Sequence, residues 1–189
     1  MTRIVAGAAR GRRLVVPAGD GTRPTSSRAR EGLFSSLESE LGSLHGRAFL
    51  DLYAGSGAVG LEAASRGAAP VVLVESDRQA WHAARENAAT LGLSQVTLHR
   101  AAVETHLSHD APAGGFDVVF LDPPYSLADS VVDECLVMLV QHRWLAPDAV
   151  VVVERATRGS PPTWPGVLAA TRSRRYGEAT LWYGRADGA

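Results

Sequence analysis

The chain has 189 residues, 46% of them hydrophobic and 21% charged, enough apolar content for one globular domain with a sizeable core and too little length for two full ones. No apolar run approaches the roughly 18 residues of a membrane span, no secretory h-region opens the sequence, and Cys135, the single cysteine, can build neither a disulfide framework nor a cysteine zinc site. The net charge of −1 conceals a segregation: Arg3, Arg10, Arg12, Arg13, Arg23, Arg28 and Arg30 stand against Asp20 alone in the first 30 residues, a net +6, which leaves −7 for the remainder.

A cytoplasmic monomer without membrane association is therefore expected, with a local basic patch of the kind a phosphate surface needs. In chain order, "RIVAGAARGRRLVVP" (3–17) sets two apolar runs around a Gly/Arg turn and reads as a β-hairpin. We assign residues 1–22 to an N-terminal arm and 23–189 to the main domain. "RPTSSRAREGLFSSLESEL" (23–41) reads as a helix, with Ser27 as its cap and Leu33, Phe34, Leu37 and Leu41 at helical spacing.

Short β-branched runs follow at 48–53, 71–75, 96–100, 117–122 and 149–154. They are nearly unbroken, as in strands buried on both faces, and the intervals between them are long enough for crossover helices, so a parallel sheet is expected. The clearest crossover is residues 77–92, where Asp77 can cap, Trp81, Ala84, Ala88 and Leu91 share a face, and Gly92 can terminate. Residues 129–140 form a similar helix. The runs 166–172 and 179–184, separated by "SRRYGE", close the chain as an antiparallel hairpin. The expected fold is an open α/β sheet, mostly parallel and doubly wound.

Between the first strand and the helix after it lies "DLYAGSGAVG" (51–60), in which Gly55 to Gly60 spell G-x-G-x-x-G. This is the setting of a nucleotide-binding loop, and Glu75, 20 residues after Gly55 at the end of the second strand, stands where a carboxylate accepts hydrogen bonds from ribose hydroxyls. A dinucleotide and S-adenosylmethionine both fit that pattern. Asp51 separates them: a carboxylate before the loop repels a pyrophosphate and attracts the ammonium of S-adenosylmethionine. Tyr53 and Ser76 flank the two strand ends, and Ala102 and Val103, after the third strand, are placed to border an adenine ring.

"LDPPY" (121–125) ends the fourth strand, at the sheet edge where open α/β folds bind ligands. An aromatic amine is a poor nucleophile, because its lone pair is delocalised into the ring, and it must be held against the methyl group. Asp122 can accept one N–H and the carbonyl of Pro123 the other. Pro124 stiffens the turn, and Tyr125 offers a face on which a flipped-out base can stack. Cys135 lies in an apolar helical pattern and reads as a packed thiol rather than a nucleophile for pyrimidine C5 chemistry. The six His show no metal-ligand spacing, and Trp144, Trp164 and Trp182 read as packing residues.

Together "DLYAGSGAVG", Glu75 and "DPPY" resemble class I S-adenosylmethionine-dependent amino-methyltransferases. With "RGRRL" (10–14), "RPTSSRAREGLF" (23–34) and "RWLAP" (143–147), the sequence resembles over almost its whole length the RsmD family of small-subunit ribosomal RNA guanine-N2 methyltransferases. The resemblance implies a Rossmann-like methyltransferase domain with an N-terminal hairpin. It implies Asp51, Tyr53, Gly55, Gly57, Glu75, Ser76, Ala102 and Val103 at the cofactor, and Asp122, Pro123, Pro124 and Tyr125 at the target amine. Arg10, Arg12, Arg13, Arg23, Arg28 and Arg30 would lie on 16S ribosomal RNA in the 30S subunit or its assembly intermediate. S-adenosylmethionine becomes S-adenosylhomocysteine, and no metal is involved. The same chemistry on adenine N6 or cytosine N4 of DNA or on a glutamine side chain, and an RNA-binding assembly factor with a disused site, are the alternatives; a dehydrogenase is the more distant one.

Overall fold

In the computed structural model, which describes residues 2–17 and 26–188, the first helix runs over Ser27–Leu41 (α1). Its cap is Ser26 and not Ser27: the Ser26 hydroxyl accepts the Ala29 N–H at 3.1 Å, the three-residue reach that satisfies an orphan donor of the first turn. Then come β1 (Phe49–Leu52), α2 (Ala58–Ser65), β2 (Val71–Val74), α3 (Arg78–Leu91), β3 (Val96–His99), α4 (Val103–Leu107) and β4 (Phe116–Leu121). The chain continues through α5 (Asp129–Gln141), β5 (Leu145–Ala156), β6 (Leu168–Tyr176) and β7 (Ala179–Ala186).

The strands form one sheet in the order β3-β2-β1-β4-β5-β7-β6. β1 to β5 are parallel, and β7 and β6 add antiparallel partners beyond β5, so the expected α/β class holds. The order reverses between β1 and β4, and a crevice opens beyond the carboxyl ends of strands at such a point. Alternation in β1 sends Phe49 to a core with Leu33, Phe34, Leu61, Phe120 and Tyr183. Leu50 and Leu52 go to the opposite core with Leu121, Val132, Cys135, Leu136 and Trp144.

Three local expectations change. β3 is not buried on both faces but alternates between half-buried and exposed residues, because it is an edge strand. β6 extends through "SRRY" to Tyr176, pairing Arg175 with Thr180 and Tyr176 with Ala179. The connection shrinks to Gly177 and Glu178, with Gly177 at a φ of 66°, the left-handed conformation a two-residue hairpin loop demands. On α3, Asp77 caps through Ala80 N–H at 2.8 Å and Gly92 terminates the helix, both as expected. Its buried face, however, is Ala80, Ala83, Ala84, Asn87 and Ala88, with half-exposed Trp81 beneath the Arg85 guanidinium. Small alanines let α3 approach closely, and Asn87 has its own work.

That work concerns the N-terminal arm. Among its described residues the arm turns back on itself with one β-bridge, Arg3 to Arg13, and backbone bonds such as Ile4 N–H to Arg12 O at 3.0 Å and Leu14 N–H to Thr2 O at 2.9 Å, and long-range bonds fasten it to the body. The buried Glu62 carboxylate accepts the N–H groups of Val5 and Ala6 at 2.7 and 2.9 Å and pairs with Arg66 at 3.0 Å. The Ser65 hydroxyl donates to Ala6 O and accepts from Ala9 N–H. Gly7, at a φ of 82°, passes so close to the Ser65 carbonyl that any Cβ would collide with it. Ile4, Ala9 and Leu14 join the core of the body. The proposed boundary at residue 22 lies outside the described residues.

Asn87 closes the attachment. Its amide nitrogen donates to Val15 O at 2.9 Å and Ser56 O at 3.0 Å, and its oxygen accepts Val15 N–H at 2.8 Å. Replacing Asn87 by Leu removes all three bonds, leaving the buried Ser56 carbonyl and the part-buried Val15 N–H and carbonyl without them, a cost of about 2–3 kcal/mol. We predict a melting temperature about 5–10 °C lower, read by calorimetry; an unchanged value would show that water replaces the amide there.

Candidate active site

At the β1/β4 reversal a cavity of about 620 Å³ opens. Asp51, Tyr53, Gly55, Glu75, Ser76, Ala102, Val103, Asp122, Pro123, Pro124 and Tyr125 all line it. The register explains the convergence. Leu52 pairs with Val74 on one side and with Leu121 on the other, so Tyr53, Glu75 and Asp122 leave three adjacent strands at one level. Asp122 N–H still donates to Leu52 O at 3.3 Å, and Glu75 N–H to His99 O at 3.1 Å.

Asp51 is buried below this mouth. One carboxylate oxygen accepts the Gly60 N–H at 2.7 Å, and a Cβ on Gly60 would sit 3.0 Å from it, so that glycine admits the carboxyl. Burial first, and then the nearby carboxylates of Asp122 and Glu75, push the Asp51 pKa up to about 8 against the opposing Gly60 hydrogen bond. The group is thus largely neutral at pH 7 until a cation arrives.

Glu75 grips the loop with both oxygens, accepting Gly55 N–H at 2.8 Å and Asp77 N–H at 2.7 Å. Each oxygen retains a lone pair for a hydroxyl donor. Gly55, at a φ of 56°, has no atom within 4 Å of where a Cβ would lie, so its bare face leaves room for a ligand. Tyr53 takes a φ of 60°, a strained conformation for an aromatic residue of the kind that concentrates at functional sites. Its hydroxyl reaches Glu104 at 3.3 Å and the Cys135 thiol at 3.5 Å.

Several expectations are revised. Gly57 does not line the cavity: at a φ of 80° it caps α2, and its missing side chain makes room for Leu73, whose Cδ2 lies 2.8 Å from the Cβ position. Arg30 does not face outward. It is 1% exposed, its guanidinium donates to Arg3 O at 2.7 Å, and burial lowers its pKa; it braces the arm. Arg12 lies on the surface with its guanidinium on Thr90 O. Arg10, Arg13 and Arg28 are exposed. Arg23 lies outside the described residues. Cys135 is fully buried with its thiol pKa pushed up to about 11, which suits packing and not thiolate chemistry.

Sequence reasoning missed Val16 and Pro17, which carry the arm into the cavity wall, and Glu104 and Phe120, which line it. Only the apolar run "LVVP" next to the basic segment hinted at the first pair. Among the described residues no cluster of metal-ligating side chains is present and no helix is long and apolar enough to cross a membrane. The donor set fits S-adenosylmethionine: a buried carboxyl for an ammonium, a second carboxylate bonded to the loop and able to accept from hydroxyls, and an open glycine face, with no basic side chain among the described residues that line the cavity.

The family described as conserved hypothetical protein 95 matches residues 2–185. Ribosomal RNA small subunit methyltransferase D of Escherichia coli (strain K12) is 35% identical over 176 residues, covering 93% of this chain and 85% of that protein. A solved structure of a putative methyltransferase from Escherichia coli has a TM-score of 0.86 at 33% identity, covering 99% of this chain and 98% of that one. An RNA methyltransferase from Salinibacter ruber, solved with S-adenosyl-L-homocysteine, shares the fold at a TM-score of 0.64 and 20% identity, over 88% of this chain and 95% of that one. The matched span and the identity over nearly the full length together establish that this chain belongs to the conserved hypothetical protein 95 family, the RsmD methyltransferases that its motifs resemble.

Proposed function

We propose that the protein methylates the exocyclic N2 of a guanine in 16S ribosomal RNA, using S-adenosylmethionine, on the 30S subunit or an assembly intermediate. The observation that carries this reading is one cavity holding both halves of the chemistry, with Asp51, Gly55 and Glu75 on one side and Asp122 to Tyr125 on the other. The name of the Escherichia coli relative supports the ribosomal substrate.

When bound, S-adenosylmethionine supplies a methyl group on a sulfonium sulfur, activated for attack by a weak nucleophile. Asp51 ionises against the cofactor's ammonium and anchors it; Glu75 accepts from its ribose hydroxyls; Ala102 and Val103 border its adenine. Asp122 and the Pro123 carbonyl each accept an N–H of the target amine, which turns the nitrogen lone pair toward the methyl carbon. Tyr125, 45% exposed at the mouth, stacks on the flipped base. The nitrogen held by Asp122 and the Pro123 carbonyl would take the methyl from the bound cofactor, which leaves as the neutral thioether, and the amine's surplus proton would pass to water at the open mouth. Catalysis is then mostly positioning, with acceptors preorganised where positive charge develops. Arg10, Arg13 and Arg28 contact phosphates from the arm and α1, adding a salt-dependent term to RNA affinity.

The test supplies labelled S-adenosylmethionine to 30S subunits lacking native methylation, to free 16S RNA and to duplex DNA, and identifies the labelled nucleoside by mass spectrometry. N2-methylguanosine in either RNA sample is the expected result. Label confined to DNA as methyladenine or methylcytosine would keep the site and overturn the substrate; no label anywhere would favour a disused site.

A further inference from the structure

Residues 122–128 carry the proposed target-amine acceptors, yet they belong to no helix or strand. Pro123 and Pro124 contribute no N–H, and the one backbone bond inside this stretch runs from Leu127 N–H to Pro124 O at 2.9 Å. Something outside the loop has to fix it. Alternation along β5 carries Val151 and Val153 into the core beneath α5, and the next residue on that side, two positions on, is Arg155.

The Arg155 side chain is 8% exposed and its guanidinium reaches the loop at two points and the helix after it at a third. Nη1 donates to Pro124 O at 3.2 Å. Nη2 donates to Leu127 O at 2.8 Å and to the Asp129 carboxylate at 2.7 Å. Asp129 is the first residue of α5, so one side chain on β5 ties the middle and the end of the loop to the adjoining helix.

We propose that Arg155 is a positioning residue for methyl transfer, one that sets the aim of the target-amine acceptors without touching substrate or cofactor. This rests on the amine-methylation reading above. The Pro123 carbonyl lies one peptide unit before the clamped Pro124 carbonyl, so its direction is fixed by the proline rings on one side and the guanidinium on the other. The charge-assisted bonds hold the loop in the absence of N–H donors that would otherwise have done so. A planar fork of five donors can serve three divergent acceptors, and a lysine ammonium cannot match that geometry.

Misplacing a reacting group by about 1 Å is enough to cost on the order of 10²-fold in rate, which sets the expected effect. In Arg155→Ala, S-adenosylhomocysteine affinity by calorimetry should stay within about threefold of wild type, because Asp51, Gly55 and Glu75 do not depend on the clamp. Methyl transfer per bound cofactor should fall about 10²-fold, mainly in kcat, and added guanidinium should recover about tenfold of it. Arg155→Lys, which keeps the charge and can satisfy part of the fork, should retain intermediate turnover and provides the measurement if the alanine variant does not fold.

Turnover within about threefold of wild type in either folded variant overturns the proposal. So does a loss of cofactor affinity that accounts for the lost turnover, or a folded alanine variant that guanidinium fails to rescue, since each assigns Arg155 a purely structural role. A wild-type protein inactive on every nucleic acid overturns the functional reading itself, whereas an active wild type with equally active variants overturns only the role of Arg155.

Discussion

Asp122→Ala should lower methyl transfer by at least about 10²-fold while S-adenosylhomocysteine still binds, the magnitude seen when one preorganised electrostatic partner is removed from a reacting centre. The side chain leaves β4 at the level of Glu75 and Tyr53, and its backbone stays anchored to Leu52 O, so the substitution should spare the fold. Removing Asp122 also removes one of the charges that raise the Asp51 pKa. Asp51 then ionises more easily, and cofactor affinity should hold or improve slightly. Calorimetry beside a single-turnover assay separates these effects. If cofactor affinity collapses along with turnover, Asp122 belongs to the cofactor half of the cavity and the assignment of the target amine is wrong.

Asp51→Asn should weaken S-adenosylhomocysteine binding about 10- to 100-fold, the worth of a charge-assisted hydrogen bond, and should also stabilise the ligand-free protein. The sign follows from burial. The folded-state pKa stands at about 8 against 3.8 for the free side chain, so the folded protein retains a proton that the unfolded chain releases. Stability contributed by the neutral carboxyl is fully present below the unfolded value and falls as pH rises toward the folded one. Asparagine removes that dependence while still offering an oxygen to Gly60 N–H. The variant should melt above wild type, by a margin that widens from pH 5 to pH 8.

The same proton governs binding. An ammonium seated against Asp51 draws the carboxyl into its ionised form, so wild-type binding should release a proton below about pH 8 and tighten as pH rises toward that value. The ligand's α-amino group, beside a free carboxylate, stays protonated through this range, so affinity should level off once pH passes the Asp51 value of about 8. Titration calorimetry in buffers of different ionisation enthalpy measures the proton directly. Equal proton release by wild type and Asp51→Asn would remove Asp51 from contact with the cofactor's cation.

These two carboxyl groups show how far one-dimensional information reached. "DLYAGSG", Glu75 and "DPPY" were recognisable as strand-end chemistry because a short apolar run followed by glycine or proline marks both the end of a strand and the edge where ligands bind. Asp77 and Gly92 bounded α3 for local reasons as well, through a side-chain cap and a left-handed terminator. Gly57 resembled the ligand-contacting glycines in spacing alone, and only the packing of Leu73 revealed that its bareness serves α2 instead. The basic arm was visible as charge, but charge does not tell which guanidinium turns inward; Arg30 does, because the arm folds over it and offers Arg3 O.

Local pattern was thus enough for the alternation of buried strands with crossover helices, the Asp77 and Gly92 ends of α3 and the residue types collected at the carboxyl edge, since each depends on neighbours within a few positions. Which groups lose water and which distant partners they meet depends on packing between segments far apart in the chain. Asp51 becomes neutral because α2 and the loop cover it. The arm is fixed by Glu62, Ser65 and Asn87, between 50 and 80 residues away along the chain, and the loop after β4 is held by Arg155, 31 residues beyond Pro124. Desolvation and long-range hydrogen bonding are properties of the packed chain, and no local pattern encodes them.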